Sequence, residues 1–392
     1  MFIKSLLDKI ISILVLFFFA LILITDFHYK IISRLDIETF KLTLPTKFLV
    51  GVFLGYYIIA KKLLDKKDLI YLALFGVVIL LGVTLQNQRY SNQELYIIAQ
   101  YLFGIIVFMF FFKSQNKLDL SKLEKALPLL IWLNFGCILM AIAFDLQIFR
   151  TYTGTRFGYN GFLKSTSTAS FFYMFSTLYL LIKKDKKKQT KSLLLITLLS
   201  ALLVGSKTLF AFVTIVLIFY LLRHIEQMQS YMSTTFFYIT SAVILMILGV
   251  YLFIPLISFN NTLYEVLIND GVISALFSYR DEHIANALSQ MTTNYDISNY
   301  LFGGLSEVKR LTEVAGIDIF LTFGVTGAIV FFILFFKNLT YSKNPILKIF
   351  LTVIFCFIML RGNFFYFPSV IYLALAIFTL TVNRDYNQTQ ST

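Results

Sequence analysis

Twelve apolar runs, separated by short polar segments, account for most of this chain. They fall at about 9–25, 45–60, 68–86, 93–112, 126–146, 166–182, 191–205, 207–222, 236–257, 316–336, 346–361 and 363–382. A membrane-spanning helix needs roughly 20 apolar residues, or somewhat fewer when flanking side chains snorkel. The expected fold is an all-α integral membrane protein of about 12 transmembrane helices. Two pairs of runs read as tight helical hairpins, turning at Gly205-Ser206-Lys207 and at Arg361-Gly362-Asn363.

One connection breaks the pattern. Segment 258–315 lies between the ninth and tenth runs and is far longer than the others. Connections of that length are rare and usually functional. Within it Ile273, Phe277, Ile284, Leu288 and Met291 recur at helical spacing, which predicts an amphipathic helix lying on the membrane domain. Asn294-Tyr295-Asp296-Ile297-Ser298-Asn299 then ends that helix. No repeat or linker divides the chain, so residues 1–392 read as one polytopic domain with one elaborated loop, 258–315.

Charge gives the runs a direction. With the N-terminus inside, the inner segments carry 21 of the 34 Lys and Arg residues and the outer segments carry 13. Lysine excess on short loops marks the cytoplasmic side, and an even number of spans then places both termini there. The kind of cation also switches. Lysines crowd the inner segments, whereas Arg89, Arg150, Arg156, Arg280, Arg310 and Arg361 fall on outer ones. Membrane insertion does not favour arginine on that side, but planar, bidentate binding of phosphate or carboxylate does.

Composition removes several classes of function. The chain is 58% hydrophobic and only 14% charged, against about a quarter charged in soluble domains. The net charge of +13 is mostly the lysine bias that orients the helices, so nucleic acid is not an expected partner; the lipid bilayer is. Cys137 and Cys356 lie inside apolar runs and read as buried packing residues. His28, His224 and His283 are far apart, so neither a metal site nor a cofactor is expected.

The candidate chemistry lies on the outer segments. Counting 100° per residue places Arg280 within the apolar stripe of Phe277, Ile284 and Met291, where a cation needs a partner or a water-filled cavity. Arg156 lies in Gly154-Thr155-Arg156-Phe157-Gly158-Tyr159-Asn160-Gly161, whose glycines suit a sharp turn or close approach to a ligand. An ordinary interfacial loop with an anchoring arginine reads equally well there. Lys207 follows the Gly205-Ser206 turn. Glu313 and Asp318 stand at the entrance to the tenth run; Asp318 suits a helix N-terminus and Glu313 a base or an orienter of arginine. His283, one turn after Arg280, is a second candidate base.

Read together, these segments resemble the bacterial O-antigen polymerase (Wzy-type) and O-antigen ligase superfamily. The resemblance rests on Arg156-Phe157-Gly158-Tyr159-Asn160-Gly161, on Gly205-Ser206-Lys207, and on Arg280 followed by Leu301-Phe302-Gly303-Gly304. It is completed by Glu313 through Asp318 and the glycines Gly324 and Gly327, in that order, from about residue 150 onward. The resemblance implies a GT-C-like membrane glycosyltransferase without a metal, located in a bacterial inner (plasma) membrane. Its donor would be an oligosaccharide on undecaprenyl pyrophosphate at the outer leaflet, with a chain-length regulator as a further candidate partner. Arg156, Lys207, Arg280 and Arg310, with Tyr159 and Asn160, would bind substrate. Arg280, Glu313, Asp318 and His283 would carry the chemistry.

Two departures bear on that reading. Relatives often place a second acid where this chain has Ala315, and ligases typically place histidine where it has Glu313. The second favours polymerisation of lipid-linked repeat units over ligation to lipid A–core. A polysaccharide flippase or other transporter is the rival from another class. Such proteins usually show two related halves and charges near the midplane, and neither is legible here.

Overall fold

In the computed structural model the described residues are 2–37, 39–85, 92–153, 156–183, 188–223, 261–271, 274, 279–304, 311–339, 344–361 and 364–390. They form an all-helical, multi-pass membrane protein. The helices are α1 (Phe2–Leu35), α2 (Thr43–Ala60), α3 (Lys66–Leu85), α4 (Asn92–Ser114), α5 (Ser121–Phe144), α6 (Thr166–Ile182), α7 (Lys188–Leu203) and α8 (Lys207–Arg223). Beyond these come α9 (Asn261–Asn269), α10 (Arg280–Asn294), α11 (Ile297–Phe302), α12 (Ala315–Leu339), α13 (Pro345–Arg361) and α14 (Pro368–Gln390).

Six helices, α1 to α5 and α12, are each long and apolar enough to cross a bilayer. Their surfaces fit that medium, because Phe48, Ile59, Leu80, Leu129 and Phe144 are large, apolar and exposed. An apolar exterior of this extent is tolerated in lipid and not in water. The shorter apolar helices α6 and α14 lie at the centre. Nearly every side chain of α6 is buried, polar Ser170, Ser176 and Thr177 included. Helix α14 packs along α6 and α4, and Tyr372 Oη donates to Val15 O of α1 at 3.0 Å. Aromatic rings fill the seams. Phe323 of α12 lies 4.8 Å from Phe75 and 5.2 Å from Tyr101, joining three helices.

Several sequence expectations shift. Helix α1 continues ten residues past its apolar run to Leu35, because Asp26 and Lys30 are buried within the bundle. The last helix begins at Pro368, not near 363, since proline suits a first helical position and holds its predecessor out of the helical region. The amphipathic helix begins at Arg280, after Tyr279 in the left-handed region at φ 64°, and Leu288 is exposed on it. Cys137 and Cys356 are half-buried, on flanks of α5 and α13. The expected run at 236–257, Arg89, Arg310, Ile273 and Phe277 lie outside the described residues.

The two ends of the bundle are held differently. At one end Lys113 pairs with fully buried Asp68 at 2.5 Å, and Lys183 pairs with Glu124 at 3.4 Å. Asn383 Nδ2 donates to Gln115 O at 2.8 Å at that same end. The other end carries the arginines.

Candidate functional site

The chain between α5 and α6 is the floor of the arginine end, and backbone contacts fix it. Thr151 N donates to Gly158 O at 2.8 Å, and Tyr159 N donates to Leu203 O at 2.7 Å. Thr151 Oγ1 reaches Val204 O at 2.9 Å. This loop is pressed onto the α7–α8 turn so closely that a Cβ on Gly205 would sit 2.4 Å from Phe157 O. A Cβ on Gly158 would sit 2.4 Å from Val204 O. Both residues also have positive φ, 149° for Gly158 and 69° for Gly205. These glycines therefore serve backbone packing of one turn on another. The result sets Arg156 beside Lys207.

A second backbone junction carries the other half. Helix α12 is broken at Gly324, whose φ is 65°, and α11 docks at the break. Gly304 N donates to Leu321 O at 2.9 Å, and a Cβ on Gly324 would lie 2.3 Å from Leu301 C. Helix α10 leads into this junction through α11, and Glu313 lies just before α12. Arg280 Nη2 then meets Glu313 Oε2 at 3.4 Å, with both side chains partly exposed.

Glu313 is presented by a tight turn. It has φ 62°, and the turn is clamped by Asp318, whose Oδ1 accepts from Thr312 N at 2.6 Å and from Thr312 Oγ1 at 2.8 Å. Asp318 is buried. Its carboxylate shapes the backbone that aims Glu313, which makes it a positioning residue.

Arg361, at the end of α13, joins the group. Its Nη1 donates to Ser206 Oγ at 3.0 Å and to Ser170 Oγ, and it is only 7% exposed. Arg156 stacks its guanidinium on the Tyr152 ring at 3.7 Å. Burial pulls the Arg156 guanidinium below its ordinary range; Tyr152 opposes that shift and Arg280 adds to it. The charges of Arg156 and Arg280 likewise act on Lys207 and on Arg361. Four cations from four parts of the chain thus lie within electrostatic reach of one another. Among the described residues, Arg280 is the one of these three arginines in ion-pair contact with a carboxylate, that of Glu313. The Nε atoms of Arg156 and Arg280 are buried and make no hydrogen bond to a described residue.

Other expected site residues have different surroundings. Asn160 is buried and accepts from Lys30 Nζ at 2.5 Å through its Oδ1, so its side chain clamps the loop. Tyr159 pairs with Arg150 in an isolated antiparallel bridge, and its ring meets Phe157 edge-on at 5.7 Å. His283 is half-buried one turn beyond Arg280. Arg361, with its serine partners Ser170 and Ser206, is the residue that sequence reasoning did not include in the site. Its place in the sequence just before Gly362-Asn363, among the outer arginines, was the available signal.

Fold and cluster together define a class: a multi-pass helical membrane protein with arginine charge concentrated at one end of the bundle. No protein-family model, curated protein or solved structure matches this chain.

Proposed function

We propose that this protein polymerises lipid-linked oligosaccharide repeat units of an O-antigen, capsule or exopolysaccharide. It would transfer the growing glycan from undecaprenyl pyrophosphate to the next lipid-linked unit. The observation that carries this reading is the mutual electrostatic reach of Arg156 and Arg280 with Lys207 and Arg361, together with the Arg280–Glu313 ion pair. Partly buried cations that crowd one another are costly unless an anion joins them, and a pyrophosphate supplies spread charge on paired oxygens that match the guanidinium fork.

In this mechanism an acceptor hydroxyl oxygen attacks the anomeric carbon, the carbon–phosphate oxygen bond breaks, and the pyrophosphate leaves with the electron pair. Fixed guanidinium groups stabilise that charge as it develops. The Arg280–Glu313 contact of 3.4 Å is long for a charge-assisted bond, so an incoming phosphate oxygen competes for Arg280 readily. Glu313, released, takes the proton of the acceptor hydroxyl. His283 is the second candidate for that proton. Attack opposite the leaving group inverts the anomeric centre.

The topology that belongs to this reading has twelve spans, both termini in the cytoplasm and segment 258–315 outside. A reporter after Lys188 should then act only as an internal probe, and one near Asn294 only as an external probe. Deletion in the native host, followed by gel analysis of the surface glycan, tests the activity. Loss of the ladder with one repeat unit retained supports polymerisation. Loss of every attached unit, with lipid-linked polymer accumulating, means ligation instead, and an unchanged glycan refutes both.

A further inference from the structure

A groove of about 900 Å³ runs between α2 and α4, and it shares no lining residue with the arginine cluster. A Cβ on Gly51 would lie 3.0 Å from the Phe103 ring, and the rings of Tyr57 and Phe110 meet at 5.5 Å. The two helices therefore run parallel, and Lys47 and Gln100, which both line the groove, stand at one level. From Lys47 to Ile59 the α2 wall runs about 18 Å, at a rise of about 1.5 Å per residue. One leaflet supplies about half of a hydrocarbon core of about 30 Å, so the groove below Lys47 is close to one leaflet deep.

Its apolar part is open. Gly51 and Gly55 strip side chains from the α2 wall, and a Cβ added to Gly55 would meet nothing within 4 Å. Within a bilayer such a groove fills with acyl chain, so its polar end decides which lipid stays.

That end is cationic. Lys47 Nζ and Lys164 Nζ each lie 3.8 Å from the same oxygen of buried Asp26, and neither Asp26 oxygen makes a hydrogen bond. At that distance the Lys47 ammonium keeps its donors for another acceptor. Lys41 Nζ and Lys164 Nζ lie 5.9 and 4.2 Å from the Tyr29 ring centroid, which brings a third ammonium to the same corner. Gln100 is 6% exposed, and its Oε1 has no hydrogen bond. A buried amide without a partner is expensive. A headgroup that offers both an anionic oxygen and hydroxyl donors satisfies that amide in either orientation.

We propose that this groove retains one anionic phospholipid of phosphatidylglycerol class in preference to zwitterionic ones. Its phosphodiester sits by Lys47 and Gln100, and an acyl chain lies along Gly51 and Gly55. Net charge sets the preference, because the trimethylammonium of phosphatidylcholine would face the three lysines while an uncharged glycerol headgroup does not. The site stands on its own geometry, whether or not the arginine cluster carries the function proposed above.

The test uses the full-length protein in nanodiscs of equal phosphatidylglycerol and phosphatidylcholine, with co-released lipid counted by native mass spectrometry. Wild type should hold one phosphatidylglycerol. Lys47→Gln should lower the preference for that lipid about fivefold, the share of one lysine near a headgroup. Gln100→Leu, similar in size but without the amide, should lower it as well. Gly55→Phe, which fills the groove without meeting protein, should lose retained lipid at an unchanged melting temperature. Arg280→Ala should retain the lipid as wild type does, which separates this site from the arginine cluster. Five results overturn the proposal: equal retention of the two lipids by wild type, an unchanged preference in both Lys47→Gln and Gln100→Leu, undiminished retention in Gly55→Phe, loss of retention in Arg280→Ala, or displacement by an equal amount of undecaprenyl phosphate.

Discussion

Two groups of cations flank the same loop between α5 and α6, and they find different surroundings. On one side Lys30 Nζ donates to Asn160 Oδ1, to Gly161 O at 2.6 Å and to Leu163 O at 3.2 Å. Arg34 Nη2 beside it donates to Arg150 O at 3.0 Å and Thr151 O at 3.1 Å. Each finds oxygen acceptors at bonding distance, and the loop is held in place. On the other side Arg156 and Arg280 act electrostatically on each other, on Lys207 and on Arg361, and Glu313 pairs with Arg280. Burial alone therefore does not mark a functional cation. A cation saturated by carbonyl oxygens is a fastener, whereas Arg156 and Arg280, each with a buried Nε that bonds to no described residue, retain donors for an anion.

The widest separation between the two groups should appear in activity. Arg280→Ala should lower polymer by about a hundredfold or more, the loss typical of a removed electrostatic donor, with membrane insertion normal. Arg280→Lys should be nearly as defective, because an ammonium lacks the planar fork. The readout is the surface glycan ladder normalised to immunoblotted protein. Full activity in Arg280→Ala would sink the pyrophosphate mechanism.

Lys30→Met should do the reverse. Three acceptors lose their donor in a buried place, which should cost about 3 kcal/mol of stability, seen as a lower melting temperature of the purified protein. Polymer per folded molecule should stay near wild type. A stable Lys30→Met protein with lost polymer would place Lys30 in the active group and erase the contrast.

Gly205→Ala tests whether both groups depend on the loop–turn junction. A methyl 2.4 Å from Phe157 O at a positive φ should cost about 1–3 kcal/mol and shift Arg156 away from Lys207, so stability and polymer fall together. Normal polymer in this variant would show that Arg156 is not positioned by the turn.

The smallest effect is expected at Asp318. Asn keeps the oxygen that accepts from Thr312, so Asp318→Asn should change polymer by about twofold or less, whereas Asp318→Ala frees the Glu313 turn and should cost about 2 kcal/mol. Equal, severe loss in both variants would make Asp318 itself the proton acceptor.

Local pattern decides the helices, and most of them were legible in the sequence. Runs of about twenty apolar residues need no knowledge of their neighbours, so α2 to α8, α12 and α13 fall within a few residues of expectation. The preference of arginine for one set of segments was legible for the same reason, as were Arg156, Lys207, Arg280 and Glu313 as candidates. The fate of each cation was not. Lys30 and Asn160 are 130 residues apart, and Arg361 and Ser170 are 191 apart. No periodicity within a span encodes such pairings. The glycines near Arg156 were equally ambiguous, since a close approach to a ligand and a close approach to another backbone need the same missing Cβ. Only the packed bundle decided that Gly158 and Gly205 serve each other. It also decided that Lys30 is a fastener while Arg361 joins Arg156 and Arg280, because a buried charge is defined by what surrounds it in space.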